Sequence, residues 1–258
     1  MSARVGLLPA FVLHRRPFRD TSATVELWTE SCGRITVVAR GIQRPRSPMR
    51  SLLQPFRPLL VSWVGRGEMP TLTAAEADSA PFPLAGERLL SGLYLNELLL
   101  KLLARGDAHP ALFHAYRQTM TALVEAVAND IIAEQRILRL FEKCLLTEIG
   151  YGLLLDHDGR TGRPIDPQQR YRYDFDSGPV PIPITAHSSD DHQLSGESLL
   201  ALAHDKLVTP EHFRHAKYLL RQAIDHRLHH LGQQQINSRE LRQAFETQRR
   251  NVVHVEAK

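Results

Sequence analysis

The stretch from Arg40 to Arg66 reads RGIQRPRSPMRSLLQPFRPLLVSWVGR and contains neither lysine nor an acidic residue. Its six arginines are Arg40, Arg44, Arg46, Arg50, Arg57 and Arg66. Four prolines exclude a continuous helix, because each lacks an N–H and restricts the residue before it. We therefore predict an irregular loop that leads into an apolar strand at 59–64. A loop of one charge sign repels itself, and guanidinium groups bind phosphate in a bidentate manner. The stretch predicts a polyanion-binding loop, with an unliganded basic surface loop as the alternative.

The charge of the chain is unevenly distributed along its 258 residues, although the formal net charge is only +4. Residues 1–66 contain eleven arginines against three acidic residues, whereas the remainder contains 21 basic and 25 acidic residues. Such asymmetry indicates contact with nucleic acid or with a membrane surface.

The sequence favours a reducing, cytoplasmic environment. Cys32 and Cys144 are far apart and belong to no CxxC or CxxH pattern, which argues against a disulfide framework or a zinc knuckle. The short apolar run at 5–13 is followed by His-Arg-Arg-Pro, not by the small residues of a secretory cleavage site. No apolar stretch approaches the length of a membrane span.

Alternating apolar residues predict a small β-barrel at the N-terminus. Strands are expected at 7–13, in a hairpin over 22–40, at 59–64 and at 71–74, where Pro70 marks an edge or a late start. Five short strands within roughly 75 residues suit the five-stranded OB-fold, and other small barrels fit the pattern as well.

Beyond Pro81 and Pro83 the apolar period becomes helical. Helices are predicted over about 86–104, 110–128, 131–149, 196–204, 210–229 and 238–249, with an irregular excursion at about 151–193. We therefore predict an α+β multidomain protein, in which a barrel domain at 1–80 precedes a mostly helical domain at 81–258.

No catalytic signature is present, since the chain lacks GxSxG, Walker, HExxH and GxGxxG patterns. Asp and His residues at 156–158, Asp174, Asp176 and the HSSDDH run at 187–192 resemble metal ligands only superficially. Their spacing suits a solvated loop better than a metal site, because Asp and His are common in turns. We predict no catalytic residue, no metal site and no cofactor.

Two sets of side chains are candidates for binding partners. Phe56, between two prolines, could stack on unpaired bases, whereas Trp63 is expected in the barrel core. The helix at 131–149 presents a basic strip with leucines beside it, which could hold an acidic peptide that ends in an apolar residue, although a solvated helix face is the commoner case. The members of this strip are Arg136, Arg139, Leu140, Lys143 and Leu146.

Several short segments, in order, resemble the bacterial DNA repair protein RecO family over nearly the whole chain. They include FVLH at 11–14, VARG at 38–41, LQPF at 53–56, GRGE at 65–68, GLYLNEL at 92–98, LRLFE at 138–142, GYG at 150–152 and SREL at 238–241. Singly these segments are weak signals, but their order and spacing are specific.

The resemblance implies an N-terminal OB-fold, a helical C-terminal domain and a non-catalytic recombination mediator. It implies binding to single- and double-stranded DNA, annealing of complementary strands, assistance to RecA loading in gap repair, and cooperation with RecR and with the C-terminal tail of single-stranded DNA-binding protein. Many members carry a four-cysteine zinc module after the GYG motif, but residues 151–180 contain no cysteine, so no zinc is expected here.

The predicted nucleic-acid contacts combine the arginine loop with the neighbouring barrel face. They are Arg16, Arg34, Arg40, Arg44, Arg46, Arg50, Phe56, Arg57 and Arg66. An RNA-binding OB-fold protein and a metal-dependent nuclease are the alternative functions.

Overall fold

The computed structural model describes residues 4–65, 67–127, 130–182 and 193–240. The chain divides into two compact units, one formed by Met1–Glu125 with Gln234–Lys258 and the other by Ala126–Gln233. The first unit contains the barrel together with two long helices and one four-residue helix. The boundary predicted at residue 80, between a barrel domain and a helical domain, differs from the boundaries of these compact units and stays a prediction.

Five strands form a closed barrel in the first unit. They are β1 (Arg4–Phe18), β2 (Ser22–Thr29), β3 (Gly33–Ala39), β4 (Leu59–Val64) and β5 (Thr71–Ala77). The order around the barrel is β1-β2-β3-β5-β4, with antiparallel neighbours except for the parallel pair Val38–Thr71 that closes it. The predicted five-stranded OB-fold barrel, including its 22–40 hairpin, is therefore confirmed.

The barrel forms because apolar residues alternate along each strand and point to one interior. Val25 and Leu27 of β2 lie beside Val37 of β3 in this core, and none of the three side chains is exposed. Trp63 of β4 is 7% exposed and belongs to the same cluster, which confirms its predicted place in the core.

The arginine loop contains a short helix, α1 (Met49–Leu52). Two longer helices pack on the outside of the barrel. They are α2 (Glu87–Leu102) and α3 (Pro110–Glu125). The buried side chain of Asn96 on α2 donates to the carbonyl oxygens of Val12 and Leu13, where β1 is interrupted by a bulge. The Tyr116 hydroxyl of α3 donates to Asn96 Oδ1 at 2.5 Å. A buried amide thus supplies hydrogen bonds to strand carbonyls at the bulge.

The described part of the second unit contains three helices and a small sheet. The helices are α4 (Ile131–Glu148), α5 (Gly196–Ala203) and α6 (Pro210–His230). The strands β6 (Arg170–Asp174), β7 (Gly178–Pro181) and β8 (Leu194–Ser195) form an antiparallel sheet in the order β7-β6-β8. None of the described helices is both long enough and apolar enough to cross a membrane.

The predicted irregular excursion at 151–193 is therefore partly wrong, because it contains β6 and β7. The strand β7 (GPVP) contains two prolines, and on β6 (RYRYD) only Tyr171 provides a fully buried large side chain. The only alternating apolar residues of β6 are therefore its two tyrosines, and the prolines of β7 disfavour a strand prediction. Residues 237–240 are helical, in agreement with the start of the helix predicted at 238–249. The rest of that predicted helix lies outside the described residues.

Candidate nucleic-acid interface

The arginine loop is anchored on the barrel by its own apolar residues. Ile42 and Leu53 are buried in the barrel core, and Met49 and Leu52 of α1 pack against this core. Among its described residues, the loop contains only this four-residue helix, as expected from its prolines. Its backbone is thereby held at fixed positions although most of its polar residues face solvent.

Hydrogen bonds join the arginine loop to the β1–β2 hairpin. Gln43 donates from its backbone N–H to the Thr21 carbonyl at 2.9 Å and from its side chain to the Ser22 carbonyl at 3.0 Å. Arg15 Nη1 donates to the carbonyl oxygens of Arg50 and Leu53 at 3.4 Å each. The loop therefore lies against the turn that follows Phe18.

Exposed arginines cluster around this junction and form what we call the arginine surface. Its members are Arg16, Arg40, Arg44, Arg46 and Arg50, all exposed. Within the described part of the chain, none of them has a carboxylate oxygen within 4.0 Å. The surface therefore carries uncompensated positive charge, which favours a polyanionic ligand.

Strand register places two members of the arginine surface at one end of the sheet. Arg16 on β1 is opposite Thr24 on β2, which in turn is opposite Val38 on β3. Arg40 follows directly after Ala39, the last residue of β3. The arginine surface thus combines a strand residue with a strand end and the anchored loop.

Arg34 was predicted to bind nucleic acid, but the structure gives it another contact set. Its Nη1 donates to Glu26 Oε2 at 3.1 Å and its Nε to the Leu103 carbonyl at 3.2 Å. Glu26 also accepts from Arg105 at 3.1 Å and from Thr36 at 2.6 Å. Burial lowers the pKa of Arg34, while neighbouring Glu26 opposes that shift. Arg34 is committed to an internal network, so the structure does not place it on the arginine surface.

Phe56 does not lie on the arginine surface either, which corrects its predicted place there. Its ring is 6% exposed and lies against Gly92, where a Cβ atom would come within 2.9 Å of it. A ring buried in this way presents no face to a base. Arg57 is half-buried, with a buried Nε that has no hydrogen-bond partner among the described residues. Arg66 lies outside the described residues.

The basic strip predicted on α4 is less exposed than its sequence suggests. Arg139 is 9% exposed and its Nη2 lies 2.6 Å from Glu142 Oε1, while Leu146 is 1% exposed. A continuous strip opposite the apolar face is therefore wrong, because α4 buries these two positions. Leu140 is half-buried.

The other two cations of the strip make hydrogen bonds within their unit. Arg136 donates to the Leu207 carbonyl from Nε at 3.0 Å and from Nη2 at 2.7 Å. Lys143 donates to the carbonyls of Leu202 and Ala203 at 2.9 and 2.8 Å and pairs with Asp205. Since α5 ends at Ala203, the ammonium satisfies carbonyl groups that the helix leaves open.

Two of the Asp residues that superficially resemble metal ligands, Asp158 and Asp174, stabilise turns. Asp158 accepts from the backbone N–H groups of Arg160 and Thr161 and from the Thr161 hydroxyl. The Arg160 N–H is the main cause that lowers the Asp158 pKa. Asp174 likewise accepts from the N–H groups following it. The part of the chain that the structure describes contains no group of three or more ligands able to hold a metal ion, and the 187–192 run lies outside it.

Sequence reasoning missed Glu26, Arg105 and Asn96. Glu26 offered one signal, since it is one of only three acidic residues among the first 66 and alternates with apolar neighbours. Its partners come from separate segments, with Arg105 following α2. Such pairings depend on the fold and leave no local pattern.

Comparison with known proteins gives matches over nearly the whole chain. The family models described as Recombination protein O N terminal and Recombination protein O C terminal match residues 6–80 and 84–240. The DNA repair protein RecO of Nitrosococcus oceani is 45% identical over 239 residues, covering 92% of this chain and 93% of the relative. The proteins of the same name from Nitrosospira multiformis and Coxiella burnetii are 42% and 40% identical, covering 92% and 93% of this chain and 95% and 99% of those relatives.

Proposed function

Since the chain belongs to the RecO family of DNA repair proteins, we propose that it is a non-catalytic recombination mediator that binds DNA through the arginine surface. In this proposal it anneals complementary strands and assists RecA loading during gap repair. The observation that carries the proposal is the set of five exposed arginines without carboxylate partners in the described chain, placed on an anchored loop and a barrel end.

Electrostatics would drive the binding. Each arginine that contacts a phosphate releases condensed counterions, which favours the complex at low salt irrespective of sequence. Two strands that meet on such a surface repel each other less, and their pairing free energy comes from the bases. The mechanism needs neither covalent chemistry nor a cofactor.

The test is a salt-dependent DNA-binding titration of the full chain and of the triple variant Arg44→Ala, Arg46→Ala, Arg50→Ala. If each arginine neutralises one phosphate, the slope of log affinity against log salt should become shallower by about two units on single strands, at roughly 0.7 per contact. Single- and double-stranded DNA and RNA of one sequence are compared, because the 2′-hydroxyl separates a DNA protein from an RNA protein.

A matched control removes the same charge from the other compact unit, by Arg160→Ala, Arg163→Ala and Arg221→Ala. These three arginines are exposed and lie within residues 126–233. The proposal requires that the control keep the wild-type slope. Equal losses in both triple variants would mean that net charge, rather than the arginine surface, determines binding, and cleavage of the DNA with added divalent metal would favour a nuclease.

The proposed protein partners are RecR and the acidic tail of single-stranded DNA-binding protein. The proposed location is the cytoplasm, at the nucleoid during repair. Arg136, Leu140 and Lys143 are the members of the α4 strip that are not fully buried, so they are the candidates to contact such a tail. Because Arg136 and Lys143 already donate to carbonyls, a tail carboxylate would have to share their N–H groups. Binding of a tail peptide to Lys143→Ala, measured by fluorescence anisotropy, tests this contact separately from DNA binding.

A further inference from the structure

The last two turns of α6 hold a pair of histidines whose geometry points to a transition-metal site, and we propose that His226 and His230 chelate a divalent ion such as Cu²⁺ or Zn²⁺. Both side chains are exposed, and their Nε2 atoms lie 3.1 Å apart. Residues four apart occupy one face of a helix, so both rings reach the same point in solvent.

The separation of the two nitrogens suits chelation by one ion. With metal–nitrogen bonds of about 2.0–2.1 Å, nitrogens 3.1 Å apart subtend roughly 100° at the metal. This angle falls between those of octahedral and tetrahedral coordination. Imidazole nitrogen also suits zinc and copper, whereas magnesium and calcium prefer oxygen ligands.

The surroundings of the pair hold one ring in place and favour a cation. The His226 ring stacks on Phe175 with centroids 4.9 Å apart and planes 17° apart. His230 is the last residue of α6, where the helix carries partial negative charge. The guanidinium group of Arg227, the residue after His226, lies over the Tyr151 ring, 3.8 Å from its centre.

The same separation is also compatible with a hydrogen bond between two neutral imidazoles, in which one Nε2–H donates to the other ring. To bind a metal through both Nε2 atoms, the donating ring would move that proton to its Nδ1 atom, which leaves a lone pair on each Nε2. With only two ligands from the described residues, water would fill the remaining positions, so the site would exchange its ion readily. This distinguishes it from a structural zinc site with four protein ligands.

The test is a titration of the metal-free full chain with Zn²⁺ by calorimetry and with Cu²⁺ by electron paramagnetic resonance. His226→Ala and His230→Ala should each weaken metal binding roughly tenfold or more. Loss of a residue that only hydrogen-bonds to a metal ligand often has that effect, and loss of the ligand itself should have at least as large an effect. The copper spectrum of the wild type should contain hyperfine coupling from two nitrogens. His229→Ala is the matched control, because it removes an exposed histidine of the same turn.

Circular dichroism of each variant verifies that α6 is retained. Loss of affinity in both His226→Ala and His230→Ala, with wild-type affinity in His229→Ala, supports the site. Equal affinities in all four proteins, or an equal loss in the His229→Ala control, would overturn it and assign the bound ion to other histidines of the chain.

Discussion

Two features require glycine at position 33, namely its left-handed backbone conformation and the close approach of Asp107. Its φ is +66°, and a Cβ atom there would lie 2.1 Å from the Asp107 carbonyl oxygen. Gly33→Ala should therefore lower the free energy of unfolding by about 3 kcal/mol or more, combining left-handed strain with displacement of a packed backbone. Urea denaturation of the full chain measures the loss.

Gly106→Ala separates the two causes. Gly106 has a similar φ of +73°, but an added Cβ would meet nothing within 4 Å. Only the conformational strain remains, so the loss should be about 1 kcal/mol. Equal losses in the two variants would show that contact with residue 107 is unimportant.

Arg139 is expected to contribute to stability through Glu142. Arg139→Met keeps much of the side-chain length but removes the positive charge 2.6 Å from a carboxylate that is almost fully buried. Removing one partner of a buried ion pair typically lowers the free energy of unfolding by about 3 kcal/mol. The double variant Arg139→Met, Glu142→Gln should recover much of this in urea denaturation, and no recovery would contradict the pairing.

Arg34 and Arg139 mark the limit of prediction for single side chains. Both belong to basic patterns that are typical of solvent-exposed, ligand-binding faces, and both form internal ion pairs instead. The partner of Arg139 is only three residues away, but the burial of that position depends on what α4 packs against. Arg34 binds the carbonyl of Leu103, 69 residues further on, which no local pattern indicates.

The start of the segment after Gln234 depends on a carboxylate of α2. Glu97 accepts from the N–H groups of Asn237 and Ser238 at 2.9 and 2.8 Å and from the Ser238 hydroxyl at 2.6 Å. Burial raises its pKa, but these hydrogen bonds and that from Lys101 outweigh burial and leave the pKa below its ordinary value of 4.5. The ionised carboxylate therefore stabilises the folded state.

The sign of the pH dependence follows from this lowered pKa. The stabilisation is complete above about pH 4.5 and is lost as the pH falls through the lower native pKa. Glu97→Gln should unfold more readily at neutral pH and show a flatter dependence in acid, measured by denaturation and by amide exchange at residues 237 and 238. Glu76→Gln, an exposed carboxylate on β5, is the control and should keep the wild-type profile.

The strands and helices were predictable to different extents. The barrel strands and the long helices have apolar patterns at the right period, so their existence and type followed from the sequence. The small sheet of β6 to β8 did not, because β6 is short and polar apart from two tyrosines, β7 contains two prolines and β8 is only two residues long. Asn96 belongs to one of the family segments, but its hydrogen bonds to the β1 bulge depend on α2 packing on the barrel, which no local pattern indicates.

The uneven charge of the chain as a whole leads to a prediction about annealing. Two complementary strands repel each other through their phosphates, so a protein that neutralises phosphates without reading bases should accelerate their pairing. The positive charge is concentrated in the first 66 residues, and the exposed arginines there lack described carboxylate partners. Acceleration should therefore depend on the arginine surface, decline as salt rises, and be similar for oligonucleotides of different base composition.

Annealing of fluorescently labelled oligonucleotides, followed by stopped flow at several salt concentrations, measures this acceleration. The Arg44→Ala, Arg46→Ala, Arg50→Ala variant should lose most of it at salt concentrations where the control variant Arg160→Ala, Arg163→Ala, Arg221→Ala retains it. Rate and affinity should decline together with salt, because both require the same phosphate contacts. Acceleration that persists in the first variant after its DNA binding is lost would place strand pairing on another surface of the protein.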